Sequence, residues 1–206
     1  MRTVRHQTVT LTRRVSHAQS EKRSEARRVA AQLATEGGYE AVTMSAVADR
    51  IGVARATIYR YFSSKDHLLA EIMEEWTARI DADLRRKPPP GKTLAERIGA
   101  AFERIIETAA RNAGLTSAML LAAASSDPAA TDAFPSWSAP VAVYLKTLVG
   151  QHKVDDLDEI ITVLSYVLFS ALIATALRGR DQAEAAQVLR TTVRLLLGGQ
   201  HRAAAR

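Results

Sequence analysis

Apolar residues recur at helical spacing through most of the chain. Between Ser20 and Glu36, Ala26, Val29, Ala30, Leu33 and Ala34 keep the register of one helix face, and Gly37-Gly38 ends the run. A shorter stripe of Val47, Ala48 and Ile51 follows Thr43, whose hydroxyl can accept from a first-turn N–H, and stops at Gly52. Val53-Ala54 then makes a turn. In the next segment Arg55, Thr57, Tyr59, Arg60 and Tyr61 surround an inward pair, Ile58 and Phe62. A helix this short and this polar is not stable alone. The pattern therefore predicts a helix-turn-helix over 43–62, with its second helix held by neighbours and offered to a DNA groove.

The stripes continue downstream. Ser63-x-x-Asp66 reads as a capping box opening a helix to about Lys87, with Leu69, Ile72, Met73, Trp76, Ile80 and Leu84 on one face. Pro88-Pro89-Pro90-Gly91 breaks it, since prolines supply no N–H donors. Thr93-x-x-Glu96 caps the next helix, whose Leu94, Ile98, Phe102, Ile105, Ile106 and Ala109 face inward and which closes at Asn112-Ala113-Gly114. A short apolar helix is expected over 115–125, a restart at Asp127-Pro128, a broken region around Trp137, and a helix from Val141 to Val149. Residues 160–177 carry no charge, but five Ser, Thr and Tyr residues interrupt them, so burial against a partner subunit is expected rather than a bilayer span. A last amphipathic helix runs over 182–197 and ends at Gly198-Gly199. Two late apolar helices can pair with their copies as a four-helix dimer interface. The fold class is all-α. The expected division is a basic flexible arm over 1–19, a DNA-binding domain over 20–66, a helical effector-binding and dimerisation domain over 67–198, and a tail over 199–206.

Composition narrows this further. Of 206 residues, 47% are hydrophobic, enough for a sizeable core, while only 5% are aromatic, which with abundant Ala and Leu favours helix over sheet. The absence of cysteine excludes disulfides and thiolate metal sites and fits a cytoplasmic location. Residues 1–65 hold twelve Lys/Arg against five Asp/Glu, and the remainder is close to neutral. The positive excess therefore lies on the part predicted to meet phosphates. Residues 1–19 contain Arg2, Arg5, Arg13 and Arg14, no acid and no apolar signal-like run.

Catalytic chemistry finds no footing. The five histidines form no metal-ligand spacing, and neither a Gly-rich phosphate loop nor a Gly-x-Ser-x-Gly elbow occurs. Asp155, Asp156, Asp158 and Glu159 open a helix, where the backbone dipole favours acids. No enzymatic activity, metal or cofactor is expected.

Thr43, Ala46-Val47-Ala48, Gly52-Val53, Thr57-Ile58-Tyr59, Tyr61-Phe62, Lys65 and Leu68-Leu69 together resemble the DNA-binding domain of the TetR family, without gaps over about residues 20–70. One departure is Ala54, where many members carry a capping Ser or Thr. The resemblance implies that Thr43 and Ser45 contact backbone or a base edge, and that Tyr59, Tyr61 and Lys65 grip phosphates. Arg55, Ala56, Thr57 and Arg60 are then the base-reading candidates, an Arg at the helix start being suited to guanine O6/N7. It also implies a homodimer on a palindromic DNA operator, released when a small apolar effector enters the second domain. Gly38-Tyr39-Glu40-Ala41-Val42, Tyr59-Arg60-Tyr61-Phe62 and the tail Val193–Gly198 look similar to the members that repress cholesterol (steroid) catabolism, which points to a steroid or acyl-CoA effector. Candidate lining residues are Phe102, Ile105, Ile106, Met119, Leu120, Phe134, Trp137, Tyr144 and Tyr166, few of them near a charge. The alternative is an architectural nucleoid protein that binds DNA and senses nothing.

Overall fold

The computed structural model describes the backbone of residues 4–133, 138–150 and 154–197, and side chains over 18–130, 141–150 and 154–197. Ten helices and no strands occur among these residues. α1 (Val4–Ala41) breaks at Gly37 and Gly38, the latter at φ 68°, ψ −159°, and a short turn follows. Its backbone takes in residues 4–19, which the sequence reading expected as a flexible arm. No Gly or Pro lies between residues 1 and 36 to stop a helix there.

α2 (Met44–Ile51) is capped by Thr43, whose hydroxyl accepts from the Ala46 N–H at 3.0 Å. Gly52 closes α2 in the left-handed region, at φ 68° and ψ 41°, where a side chain would be strained. α3 (Arg55–Tyr59) starts at Ala54 with no side-chain cap, as its alanine dictates. α4 (Lys65–Arg86) differs from expectation at its start: Ser64, not Ser63, is the N-cap, accepting from the His67 N–H at 3.0 Å. Ser63 is engaged elsewhere, its N–H donating to His67 Nδ1 at 3.2 Å.

α5 (Leu94–Arg111) has the expected reciprocal Thr93–Glu96 capping box. α6 (Ala113–Ala123) starts earlier than expected, sharing Asn112 with the end of α5. The Thr116 hydroxyl bridges the corner by donating to the Ala109 carbonyl at 2.8 Å. Asp127 caps α7 (Pro128–Ala133), accepting from the Ala129 and Ala130 N–H groups. α8 (Ser138–Val149) begins before Pro140, which falls in its first turn, where a missing N–H is harmless. α9 (Leu157–Ala176) is by length and composition apolar enough to cross a membrane. It packs instead against α5, α6, α8 and α10 (Gln182–Leu197).

Two cores result. One gathers Ala30, Val47, Ile58, Phe62, Leu68 and Leu69. The other gathers Ile98, Phe102, Ile106, Leu145, Leu164 and Leu189. α6 is divided between them: Ala118, Met119 and Ala122 join the first, Leu120 the second. Trp76 of α4 packs against both.

Candidate nucleic-acid interface and buried cavity

α3 is held from beneath and open above. Ile58 and Phe62 are fully buried, and the Phe62 N–H donates to the Ile58 carbonyl at 3.0 Å, tying the end of α3 into its core. Arg55, Ala56, Tyr59 and Arg60 are exposed, and Thr57 is half-buried. Arg55 donates to the Tyr59 hydroxyl at 3.0 Å, with its guanidinium carbon 5.3 Å from the ring centroid. Tyr59 is 43% exposed, so it is a platform for Arg55 rather than a core ring. Tyr61 packs edge-on against Phe62 and is half-buried, as is Ser45; Thr43 is exposed. Among the described residues Arg60 has no ion-pair partner, whereas Arg50 is neutralised by Glu36 at 2.8 Å.

Lys65 sits at the first position of α4, its ammonium 3.6 Å above the Tyr39 ring and 3.9 Å from the exposed Glu40 carboxylate. The Tyr39 hydroxyl donates to Asp66 at 2.6 Å. Burial, and then the Asp66 carboxylate, push the Tyr39 phenol well above the usual range, so it stays a donor. Thus Tyr39, to which the sequence reading gave no structural part, positions the phosphate-gripping candidate. His67 is another residue the sequence reading left without a role. Its Nδ1 accepts from Ser63, its ring lies edge-on to Phe62, and its Nε2 is 3.2 Å from Glu71. Arg23 and Arg27 of α1 also pair with Glu71, bracing α1 against α4. Tyr39 lies 26 residues before Lys65, and Arg23 and Arg27 lie 48 and 44 before Glu71, beyond what a local motif records, whereas the His67–Glu71 pair has the i, i+4 spacing of one helix face.

The second core contains a narrow cavity of about 20 Å³ between α4, α5, α8 and α9. Its wall includes Trp76, Thr77, Ile80, Asp81 and Leu84 of α4, Phe102 and Ile105 of α5, Tyr144 of α8, and Leu168 and Leu172 of α9. Of the expected lining residues, Phe102, Ile105 and Tyr144 are brought together there. Ile106 and Leu120 are buried in the same core away from the cavity wall. Met119 points into the other core, because α6 turns that face toward α1 and α4. Tyr166 is 71% exposed, on the side of α9 opposite Leu164 and Leu168, and does not line the cavity. Phe134 and Trp137 lie outside the residues whose side chains are described. Asp81 Oδ1 and the Tyr144 hydroxyl are both buried without a hydrogen-bond partner among the described residues. Burial raises the Tyr144 phenol above its ordinary value, so it keeps its proton.

Residues 27–72 match the model of bacterial regulatory proteins of the tetR family, and residues 91–196 match that of the tetracyclin repressor-like C-terminal domain. The chain belongs to the TetR family. It is a DNA-binding transcriptional repressor by this membership and by its relatives. It is similar to the HTH-type transcriptional repressor KstR of Rhodococcus jostii (strain RHA1), 36% identical over 184 residues, covering 89% of this chain and 86% of that protein. In structure it is similar to Thermus thermophilus FadR, a TetR-family repressor solved in complex with lauroyl-CoA. The TM-score is 0.69 at 27% identity, covering 86% of this chain and 94% of that one. A partial likeness reaches the nucleoid occlusion factor SlmA of Actinobacillus pleuropneumoniae serotype 5b (strain L20), 33% identical over 88 residues, 41% of this chain and 42% of that protein. The TetR-family match spans both cores, and the helix-turn-helix expected over 43–62 lies inside the first matched segment.

Proposed function

We propose that this TetR-family protein is a homodimeric, cytoplasmic repressor that leaves its operator when a small apolar ligand opens the cavity beside α4. One observation carries the proposal: α4 runs unbroken from the turn behind α3 to the cavity wall at Trp76, Ile80 and Leu84. Pockets for drug-sized ligands enclose roughly 300–1,000 Å³. A guest of that size must push the cavity walls apart, and α4 carries any such movement to Lys65 and α3. Release requires only that the ligand bind the opened form better than the form that fits DNA.

On the operator, Arg55, Ala56, Thr57 and Arg60 read base edges, while Tyr59, Tyr61 and Lys65 hold phosphates. Thr43 and Ser45 contact backbone or a base edge from the start of α2. α9 and α10 join two protomers, so the operator is palindromic, with half-sites ~34–36 Å apart or a multiple of that. Likeness to KstR over most of the chain and to a FadR solved with lauroyl-CoA supports a steroid or acyl-CoA ligand. No metal or cofactor takes part in this scheme.

Fluorescence anisotropy on DNA from upstream of the protein's own gene, against a scrambled duplex at ~0.15 M salt, tests the reading. A Kd of ~10⁻⁸ M or tighter with at least ~10³ preference is expected, as is release by lauroyl-CoA or a steroid CoA ester. The partial likeness to SlmA favours a second reading, a nucleoid-binding protein without an effector. Equal binding to both duplexes, unchanged by either ester, would select that reading.

A further inference from the structure

A surface cleft of about 410 Å³ lies between α4 and α5. Trp76, Ile80 and Leu84 line both this cleft and the buried cavity, so the two adjoin across those side chains. α4 packs against α1, α6, α7 and α8 far more than against α5. Arg104 of α5 spans the gap by donating to the Lys87 carbonyl at the end of α4. Arg111 donates to the Thr108 hydroxyl at 2.8 Å, and Arg79 pairs with Glu75 at 3.2 Å. These three arginines line the cleft against one acid, Asp83, which pairs with Arg86 outside it. Arg104 and Arg111 thus bond to neutral oxygens, and Asp83 acts on Arg104 only from beyond pairing distance. The positive charge also reaches the cavity: burial raises the Tyr144 phenol, and Arg104 and then Arg85 pull against that rise.

We infer that this cleft holds the phosphate head of an amphiphilic effector whose apolar part occupies the adjoining cavity. The inference rests on the reading of the cavity as the effector site. The accessible lining of the cavity is apolar, so an anion there would lose its water without compensation. In the cleft the same anion stays hydrated and meets cations. A phosphate monoester carries about −1.5 to −2 charges at pH 7 and three acceptor oxygens, and guanidinium forks take such oxygens in pairs. Three arginines against one acid leave an excess of two positive charges, which a phosphate matches more fully than a single carboxylate. An apolar tail enters the cavity by parting Trp76, Ile80 and Leu84 from α5, and this moves the same α4 that carries Lys65.

The test uses the full chain carrying Trp137→Phe, which leaves Trp76, on the wall shared by cleft and cavity, as the single tryptophan of the original two. The probes are dodecyl phosphate and dodecan-1-ol, and 5α-androstan-3β-yl phosphate and 5α-androstan-3β-ol, titrated by Trp76 fluorescence below micelle-forming concentrations. Arg104→Gln and Arg111→Gln are added together, and Arg111→Gln also alone, because Arg104 ties α5 to the end of α4 and its loss can loosen the fold. Both variants should weaken at least one phosphate, the double variant by ~10-fold or more, with the parent alcohol bound as before. Raising salt from ~0.05 M to ~0.5 M should weaken the phosphate and spare the alcohol. No Trp76 response to either phosphate, phosphate affinity untouched by both variants, or an equal loss for phosphate and alcohol would overturn the inference. A larger loss for dodecanoate than for dodecyl phosphate would make the head a carboxylate and overturn the phosphate assignment. DNA anisotropy run in parallel separates the two readings. Phosphate binding that depends on Arg104 and Arg111 without operator release sinks the release mechanism and leaves this site standing. Release by phosphate and alcohol alike in the double variant keeps the release mechanism and removes this site.

Discussion

Arg55 and Lys65 are cations on one face, but they are held by different chemistry. Arg55 lies along Tyr59 at the start of α3, with a planar fork that can pair with a guanine edge. Lys65 is a point charge standing on Tyr39, suited to a phosphate. Arg55→Ala should lower discrimination by about 1–3 kcal/mol at one base position while leaving scrambled DNA nearly unaffected. Lys65→Ala should weaken all duplexes alike and reduce the salt slope by about 1. Anisotropy over a salt series on cognate and scrambled DNA checks both, and equal losses for Arg55→Ala on the two duplexes would remove it from the base-reading set. At this scale the sequence showed which residues of α3 face outward and hid those that support Lys65. The alternation of buried Ile58 and Phe62 with polar neighbours is local, so the outward side of α3 was legible. Tyr39 is 26 positions before Lys65, and its part appears only once the turn after Gly38 lies against α4. Ser63 and Ser64 are both competent caps; Ser64 Oγ accepts the His67 N–H, while Ser63 meets the His67 ring through both its N–H and its hydroxyl.

At the scale of helices, α6 makes a close backbone approach to α1 of the DNA-binding half. A Cβ on Gly114 would stand 2.7 Å from the Ala34 carbonyl oxygen and 3.0 Å from that of Thr35. Backbone atoms within a helix cannot swing aside as a flexible side chain does, so Gly114→Ala should push α6 from α1. A loss of about 1–3 kcal/mol is expected, visible as a lower Tm. An unchanged Tm would mean the helices yield freely. α7 offers a second test. Its cap Asp127 has its carboxyl held below the ordinary value, chiefly by the Ala130 N–H and then by the Ser64 hydroxyl that begins α4. A lowered folded-state value stabilises the fold above the unfolded Asp range, and that stabilisation disappears as pH falls through the folded value. Asp127→Ala should therefore lower Tm at neutral pH, by an amount corresponding to about 1 kcal/mol for a lost cap. The gap to wild type should close in acid, and a gap constant from pH 7 to pH 3 would separate the effect from this carboxylate. Helix existence was legible wherever a stripe was strong, as in α4 and α5. The direction of α6 was not: its Ala-Gly-Leu-Thr-Ser-Ala-Met-Leu-Leu-Ala-Ala sequence is apolar nearly all round, so adjacent Met119 and Leu120 gave no sign that they enter different cores. α9 misled in the same way, and Tyr166 was placed inside when it faces out.

For the molecule as a whole, the proposed dimer makes the outer faces of α9 and α10 the surfaces that would set how two recognition helices are spaced. Val163, Tyr166, Val188 and Leu195 are large apolar residues left exposed on them, Leu195 at 72%. In a twofold dimer the same patch meets its copy, so one substitution enters the interface twice. Leu195→Glu and Tyr166→Glu together would place four carboxylates in an interface that needs apolar contact. Each protomer should remain folded, since both side chains already face outward. Sedimentation velocity should show monomers at concentrations where the wild type is a dimer. Binding to a palindromic operator should weaken by ~10²–10⁴, the avidity lost when two linked half-site contacts become independent. Binding to a single half-site should change little, because Arg55, Thr57 and Arg60 lie on the other core. A double variant that stays dimeric would place the interface elsewhere. A monomer that keeps full operator affinity would show that the two recognition helices do not act together, and with that the coupling of cavity opening to helix separation would lose its basis.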